Sequence, residues 1–509
     1  MSDWTSGYVA EIGYTFGYYT ELNPLRIQLA FLDQGLVFPK VGTACELGFG
    51  QGLSANIHAA ASDVHWSATD FNPSQASFAQ ELATASGSNA RIFDEAFSEF
   101  ANRTDLPEFD YIGLHGIWSW ISNENRAVIV EFIRRKLKVG GVLYVSYNTQ
   151  PGWSTFAPVR HLMTQHAEVM SAQGQGIVSR VDGAMDFAEK LLSTNPAFGR
   201  GNPVVSERLK QIKGQSREYL AHEYFNRDWH PMYFSDMAEW LAPAKVQFGC
   251  SADYIGLIDA VNFTSEQSSL LEEIPDPTFR QSVQDFILNQ QFRKDYWVRG
   301  IRNISLIEKK EAQRRQRVIL TTHRPDVPMK VTGAIGEATL QEEIYKPLLD
   351  LMADHIPRSL GELEVSLKDH KIQLNQIVQA VMLLSGMGHL YAVQEITPQN
   401  CQKSDSLNLH LMHRARGSKD VIFLASPLTG GGHEVRRFQQ LFLLAFKNGK
   451  KSVNEWAQFA WTVLSAQNQK MLKEGQVLES EEDNLAELNM LAQVFADKQL
   501  PILKALLIA

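Results

Sequence analysis

The residues of this chain best placed to do chemistry are Glu46-Leu-Gly48-Phe49-Gly50-Gln-Gly52, which close the apolar run Val41–Leu47. The spacing is Gly-x-Gly-x-Gly. The third glycine of a dinucleotide fingerprint falls on Leu53, which argues against NAD or FAD. Glu46 argues the same way, because a carboxylate there repels a pyrophosphate at the helix N-terminus that follows. It suits a ligand with an ammonium group. S-adenosylmethionine has one, plus a sulfonium, and no phosphate. The glycines let backbone pass close to such a ligand. A lone Gly-x-Gly-x-Gly reads equally well as a tight turn, so the neighbouring positions decide.

Asp70 is the first of these. It ends the run Val64–Thr69, where a carboxylate accepts hydrogen bonds from ribose hydroxyls. Phe71 follows and can pack on an adenine, whose edge Glu95-Ala96-Phe97 is placed to meet. Asp110-Tyr-Ile-Gly-Leu-His115-Gly-Ile-Trp118-Ser-Trp120 carries an aromatic cluster past the end of a fourth strand. Asp110 reads equally as a strand cap. Trp118 and Trp120 read equally as core residues or substrate walls. For His115, core packing or cofactor contact stands ahead of a role as base.

The elements that must position these residues alternate. The pattern predicts strands at Val41–Leu47, Val64–Thr69, Arg91–Phe93, Phe109–Leu114 and Gly141–Tyr147. Helices are expected at Leu53–Ala61, Pro73–Ala85 with Asn72 as N-cap, and Asn123–Leu137. The fold class is α/β: a Rossmann-like parallel sheet with helices on both faces, binding its ligand at the carboxyl ends of the strands. Four regions are expected. Residues 1–40 are an aromatic and helical segment (Tyr8 to Tyr19, then a helix Leu25–Leu36 capped by Asn23-Pro24). Residues 41–260 are the cofactor domain with a helical insertion. Its helices are expected at Phe156–Met170, Ala184–Leu192, Glu207–Tyr224 and Tyr233–Leu241, with a polar linker Asn195–Pro203 and strands Val246–Cys250 and Tyr254–Ile258. Residues 261–333 are a middle or linker region. Residues 334–509 are mostly helical; Leu340–Met352, Leu360–Leu367 and Leu374–Ser385 ahead of a β-hairpin match a winged helix.

The 509 residues include 44% hydrophobic and 21% charged side chains, ordinary for a globular protein of about two to four domains. The net charge of -9 argues against a protein that grips nucleic acid over a broad surface. Cys45, Cys250 and Cys401 form neither a disulfide framework nor a thiolate metal site, so no metal is expected. The opening MSDWTSGYVAEIG lacks the parts of a secretory signal, and no apolar run reaches the ~20 residues of a membrane span. A cytoplasmic protein is the expectation.

These residues resemble the class I methyltransferase pattern over about residues 40–150. A narrower likeness covers nearly the whole chain. The stretch with Tyr14, Tyr18 and Asn23-Pro24, the segment His115–Trp120, and Tyr147-Asn-Thr-Gln-Pro-Gly-Trp153 are similar to bacterial proteins that carry a methyltransferase regulatory domain. That family includes lysine methyltransferases of outer-membrane proteins. The resemblance implies S-adenosylmethionine as cofactor, a homodimer, a substrate or dimerisation element at the N-terminus, and a winged-helix-like C-terminal domain. One departure is Phe49, where many members carry cysteine or another small residue.

Methyl transfer aligns nucleophile, methyl and sulfur in line. A lysine nucleophile must arrive neutral, and an aromatic pocket lowers an amine's pKa while holding cations on its ring faces. Tyr14, Tyr18, Trp118, Trp120 and Trp153 are the pocket candidates; Tyr18 and His115 are the candidates for a general base. Three readings stay open: a protein lysine methyltransferase, a methyltransferase for a small molecule or saccharide, and a non-catalytic DNA- or protein-binding module.

Overall fold

The computed structural model describes residues 13–172 and 174–509. Tyr8, and with it the start of the aromatic stretch, lies outside them. Short apolar runs each followed by a helical segment produce parallel strands: β1 (Thr43–Leu47), β2 (His65–Asp70), β3 (Arg91–Asp94), β4 (Phe109–Leu114) and β5 (Leu137–Asn148). With β6 (Gln247–Ser251) and β7 (Phe292–Val298) they form one seven-stranded sheet in the order β3-β2-β1-β4-β5-β7-β6. β7 runs antiparallel between β5 and β6. This is the α/β sheet of class I methyltransferases.

Helices α1 (Arg26–Asp33), α2 (Leu53–Ala61), α3 (Pro73–Ser86), α4 (Phe97–Ala101) and α5 (Asn123–Lys136) cover the sheet. The Asn72 side chain caps α3 by accepting from the N–H groups of Ser74 and Gln75. α1 starts later than expected. Asn23 Oδ1 accepts the N–H of Leu25 in a turn, and its amide donates to Thr429 O, so Asn23 links two regions instead of capping the helix.

Between β5 and β6, helices Ala157–Val169, Ile177–Ser193, Val204–Lys213 and Arg217–Tyr224 build a layer with its own core around Trp153, Phe156, Val181 and Leu220. The expected helix Glu207–Tyr224 is broken at Gly214-Gln-Ser216, where Ser216 caps the second half. The expected linker Asn195–Pro203 contains a helical turn, Ala197–Gly201. Tyr254–Ile258 is a 3₁₀ turn, not a strand. The strand it was expected to supply is β7, from the region read as a linker. Arg293 holds β7 in place by pairing with Asp285 and Asp295 at 2.6 and 2.8 Å, and Tyr147 OH donates to Asp295.

The three C-terminal helices are Glu342–Leu351, Leu360–Ser366 and Leu374–Gly386. The β-hairpin expected after them does not form. β8 (Arg317–Leu320), which precedes the helices, is the centre of a small sheet, paired with Arg358–Ser359 and Leu390–Ala392. The helix Pro398–Arg414 then packs across α2 and α3, and Lys403 donates to the carbonyls of Ala59 and Ser62. Leu53 and Ile57 of α2 share a core with Leu407, Leu424 and Leu441. The helix that begins at the glycine loop is therefore clad by C-terminal residues.

Candidate active site

A cleft lies across the carboxyl ends of β1 to β4. Its walls include Glu46, Gly48, Phe49, Gly50, Asp70, Phe71, Glu95, Ala96 and Phe97, all anticipated from the sequence, together with His115, Trp120 and Tyr14. Asp70 organises the loop. Its Oδ2 accepts the N–H of Gly50 at 2.9 Å and its Oδ1 the N–H of Asn72 at 3.0 Å. Burial pushes the Asp70 carboxyl up to about 6, against those two N–H donors. Glu46 is 3% exposed and its Oε2 meets no hydrogen-bond donor among the described residues. Burial first, and the Asp70 charge second, push it up to about 8. An unpaired buried carboxyl oxygen beside a cleft is matched by a ligand that brings a cation or a donor.

Gly50 has φ +59, and a Cβ there would stand 3.2 Å from the Tyr14 ring, so Tyr14 lies directly over the loop. Gly48 is roofed by Ile117, which a Cβ would meet at 2.8 Å. Gly52 does not line the cleft. It is the N-cap of α2 at φ +69, and a Cβ would be 2.4 Å from Cβ of Ala79 on α3. Its smallness serves helix packing rather than ligand contact.

The β4 side of the cleft is aromatic. His115 Nδ1 is 2.8 Å from Tyr144 OH, and its ring stacks on Tyr19 with centroids 3.8 Å apart. Burial lowers His115 to about 4, which keeps its imidazole neutral near pH 7. Glu21 acts against this, and Lys294, paired with Glu21 at 2.6 Å, reinforces it.

Tyr18, expected as a general base, is turned away. Its OH lies 3.1 Å from His58 Nε2 and its ring packs on Phe423 of the C-terminal region. Its neighbour Tyr19 lines the cleft instead. Trp118, expected as a substrate wall, is fully buried, with Nε1 on Met232 and its ring against Trp240. Trp153 is also core, packed against Trp229 and under the Arg208 guanidinium. Asp110 sits at the opposite, amino-terminal end of β4, where it accepts the N–H groups of Gly42 and Thr43 and pairs with Lys138. These four positions are structural. The sequence also allowed a core role for Trp118 and a strand cap for Asp110, but suggested no such role for Tyr18 or Trp153.

The sequence reading missed one wall altogether. Tyr219, His222, Glu223, Asn226 and Asp228, on and just after the helix Arg217–Tyr224, close the cleft from the inserted helical layer. Tyr14 meets the His222 ring edge-on at 5.0 Å. Burial pushes Glu223 up to about 7; the Asn148 amide at the end of β5 opposes this, although its buried Nδ2 has no acceptor within hydrogen-bonding distance. No spacing marks these residues, because more than a hundred positions separate them from the glycine loop.

Among the described residues no group of three or more histidine, cysteine, aspartate or glutamate side chains could hold a metal. No helix among them is long and apolar enough to cross a membrane.

Comparison with known proteins agrees with this architecture. A family model described as a predicted methyltransferase regulatory domain matches residues 216–299, which begin at the helix carrying Glu223. An uncharacterized protein of Synechocystis sp. is 41% identical over 510 residues, covering 99% of both chains. An uncharacterized protein of Rickettsia prowazekii is 23% identical over 300 residues, or 56% of this chain and 51% of its own. The structure of PKMT2 from Rickettsia typhi in complex with AdoHcy superposes with a TM-score of 0.71 at 17% identity, covering 97% of this chain and 100% of that one.

Proposed function

We propose, for a chain that belongs to the family of the Synechocystis protein and carries the methyltransferase regulatory domain, that it transfers a methyl group from S-adenosylmethionine to a lysine side chain of a protein. The observation that carries the reading is the orphaned Glu46 oxygen beside the glycine loop that Asp70 pins. A carboxylate there receives the ammonium of the methionine moiety. Asp70, Phe71, Glu95 and Phe97 line the same cleft, which supports Asp70 for the ribose hydroxyls and the other three for the adenine. Bound S-adenosylmethionine supplies an electrophilic methyl on a positive sulfur. The chain itself orients an acceptor between Tyr14, Tyr19 and Trp120, and their ring faces stabilise cations. Neutral His115 adds no competing positive charge.

The Rickettsia typhi protein, solved in complex with AdoHcy, supports the choice of cofactor through fold likeness. A protein acceptor is favoured by the inserted helical wall and the C-terminal region, which extend beyond what a small acceptor needs, and a bacterial surface protein is the acceptor the family resemblance implies. Docking on that region as a homodimer in the cytoplasm belongs to the same reading. A small-molecule or saccharide acceptor is the second reading. A hydroxyl nucleophile needs a general base to take its proton in the transition state.

Two measurements test the proposal. Calorimetry with S-adenosylmethionine is expected to give micromolar-class binding; no binding refutes the cofactor assignment. Radiolabelled methyl transfer to protein lysines, compared with hydroxyl-bearing small acceptors, tests the substrate. Label on the small acceptors alone overturns the lysine reading.

A further inference from the structure

Nothing in the glycine loop explains why the inserted helical layer reaches into the cleft. Its contribution is specific in place. The ends of β1, β2 and β3 are taken up by residues suited to the methionine, ribose and adenine. That leaves the end of β4 and the inserted helical wall for the acceptor. Glu223 lies on that side, next to Asn148 at the end of β5. Tyr19, Glu46 and Glu223 line the same cleft, and burial first, then the Glu46 and Glu223 charges, raise the Tyr19 phenol. One carboxylate faces the donor's ammonium. The other faces the region from which the acceptor must approach.

We infer that Glu223 receives the acceptor's ammonium group and takes its proton, so that the cleft accepts amines in preference to hydroxyls. This rests on the methyltransfer reading above. The steps balance. The ammonium proton passes to the Glu223 carboxylate. The freed nitrogen pair forms the N–C bond as the S–C bond breaks, and that bond's electrons stay on sulfur. The products are a thioether and a methylated ammonium.

The charged and titratable groups around Glu223 include Arg208 on the preceding helix, Tyr219, His222 and Tyr224 on its own helix, Asp228 just after it, and Tyr19 from the N-terminal segment. Of these, Arg208 favours the ionised form of Glu223, and burial opposes it. A carboxyl balanced in this way near neutrality can both bind a cation and hold a proton.

The test uses the full-length protein and poly-L-lysine as acceptor. Glu223→Gln is expected to lower kcat/KM for poly-L-lysine at least tenfold and to remove the acid limb near neutral pH from its profile. Its S-adenosylmethionine affinity should stay within twofold of wild type. Glu223→Asp keeps the charge but withdraws it by one methylene, and is expected to recover part of the rate. If Glu223→Gln does not fold, the aspartate variant reads the same contrast, with a fivefold loss expected and an unchanged rate overturning the inference. A Glu223→Gln protein with wild-type rate and pH profile overturns the inference while leaving the methyltransfer reading intact. A wild type that binds S-adenosylmethionine but labels no amine overturns both the inference and the lysine substrate. A wild type that binds none overturns the site assignment itself.

Discussion

The Gly50 N–H donates to Asp70 Oδ2 at 2.9 Å, tying the loop after β1 to the last residue of β2. The bond makes two strand ends one binding surface. It also means that Asp70 serves the loop's shape before it meets any ligand.

Asp70→Ala is therefore expected to cost more than one lost ligand contact. A buried backbone donor on Asn72 and a part-buried one on Gly50 lose their acceptor, at about 1–3 kcal/mol where water cannot replace it. S-adenosylmethionine affinity should fall by roughly one to two orders of magnitude, with a lowered Tm. Asp70→Asn keeps one acceptor oxygen and should fall between. Unchanged calorimetric affinity in the alanine variant would remove Asp70 from the site.

Glu46 predicts a pH dependence of binding. Its carboxyl is held up to about 8 in the free protein, so it is mainly protonated at pH 7. An arriving ammonium favours the ionised form, so binding releases a proton, and affinity rises with pH between about 6 and 8. Calorimetry at pH 7 in buffers of different ionisation enthalpy measures that proton. Glu46→Gln should lose it. The sign for stability is opposite. A folded-state pKa above the ordinary carboxylate value gives stability that is full below that value and is lost as pH rises through about 8. The ligand-free protein should therefore have a lower Tm at pH 8 than at pH 5.5, less so in Glu46→Gln.

Gly50 and Gly52 should separate binding from folding. Gly52→Ala places a Cβ on Ala79 at 2.4 Å in a left-handed backbone, and a loss of about 2–4 kcal/mol in stability is expected. Gly50→Ala meets only the Tyr14 ring at 3.2 Å. It should lower affinity for the cofactor with a stability loss of about 1 kcal/mol. Thermal unfolding beside calorimetry reads the split; equal Tm losses in the two variants would contradict it.

Tyr18 and Tyr19 give a paired test of side-chain direction. Tyr18→Phe removes the contact to His58, outside the cleft, and is expected to cost about 1 kcal/mol of stability and leave kcat within twofold. Tyr19→Ala removes the ring stacked on His115 and should lower kcat/KM at least tenfold. Reversed outcomes would restore Tyr18 to the site.

The part of the cleft proposed for the nucleoside was legible as a cleft wall because its residues sit at strand ends close together in sequence. Glu46, Asp70 and Glu95 each end or follow a strand, and a parallel sheet brings consecutive strand ends to one edge. The periodicity of apolar runs was enough to place them, and Leu53 was enough to set aside a dinucleotide. That information is local, and short-range physics carries it.

The acceptor half was decided by tertiary structure. Tyr18 and Tyr19 are both aromatic, and only the covering of α2 by C-terminal residues turns Tyr18 to Phe423 and leaves Tyr19 to His115. Trp118 and Trp120 are two residues apart in a 3₁₀ turn, so one faces the core and the other the cleft. Glu223 reaches the site because a helical layer inserted between β5 and β6 folds back over it. Strand β7 enters the sheet from the region read as a linker, and Tyr147 OH of β5 donates to its Asp295. Such contacts join residues far apart in the chain, where hydrophobic periodicity carries no signal. The sequence therefore determined what the cleft is suited to hold, and the tertiary packing determined which side chains face what is delivered to it.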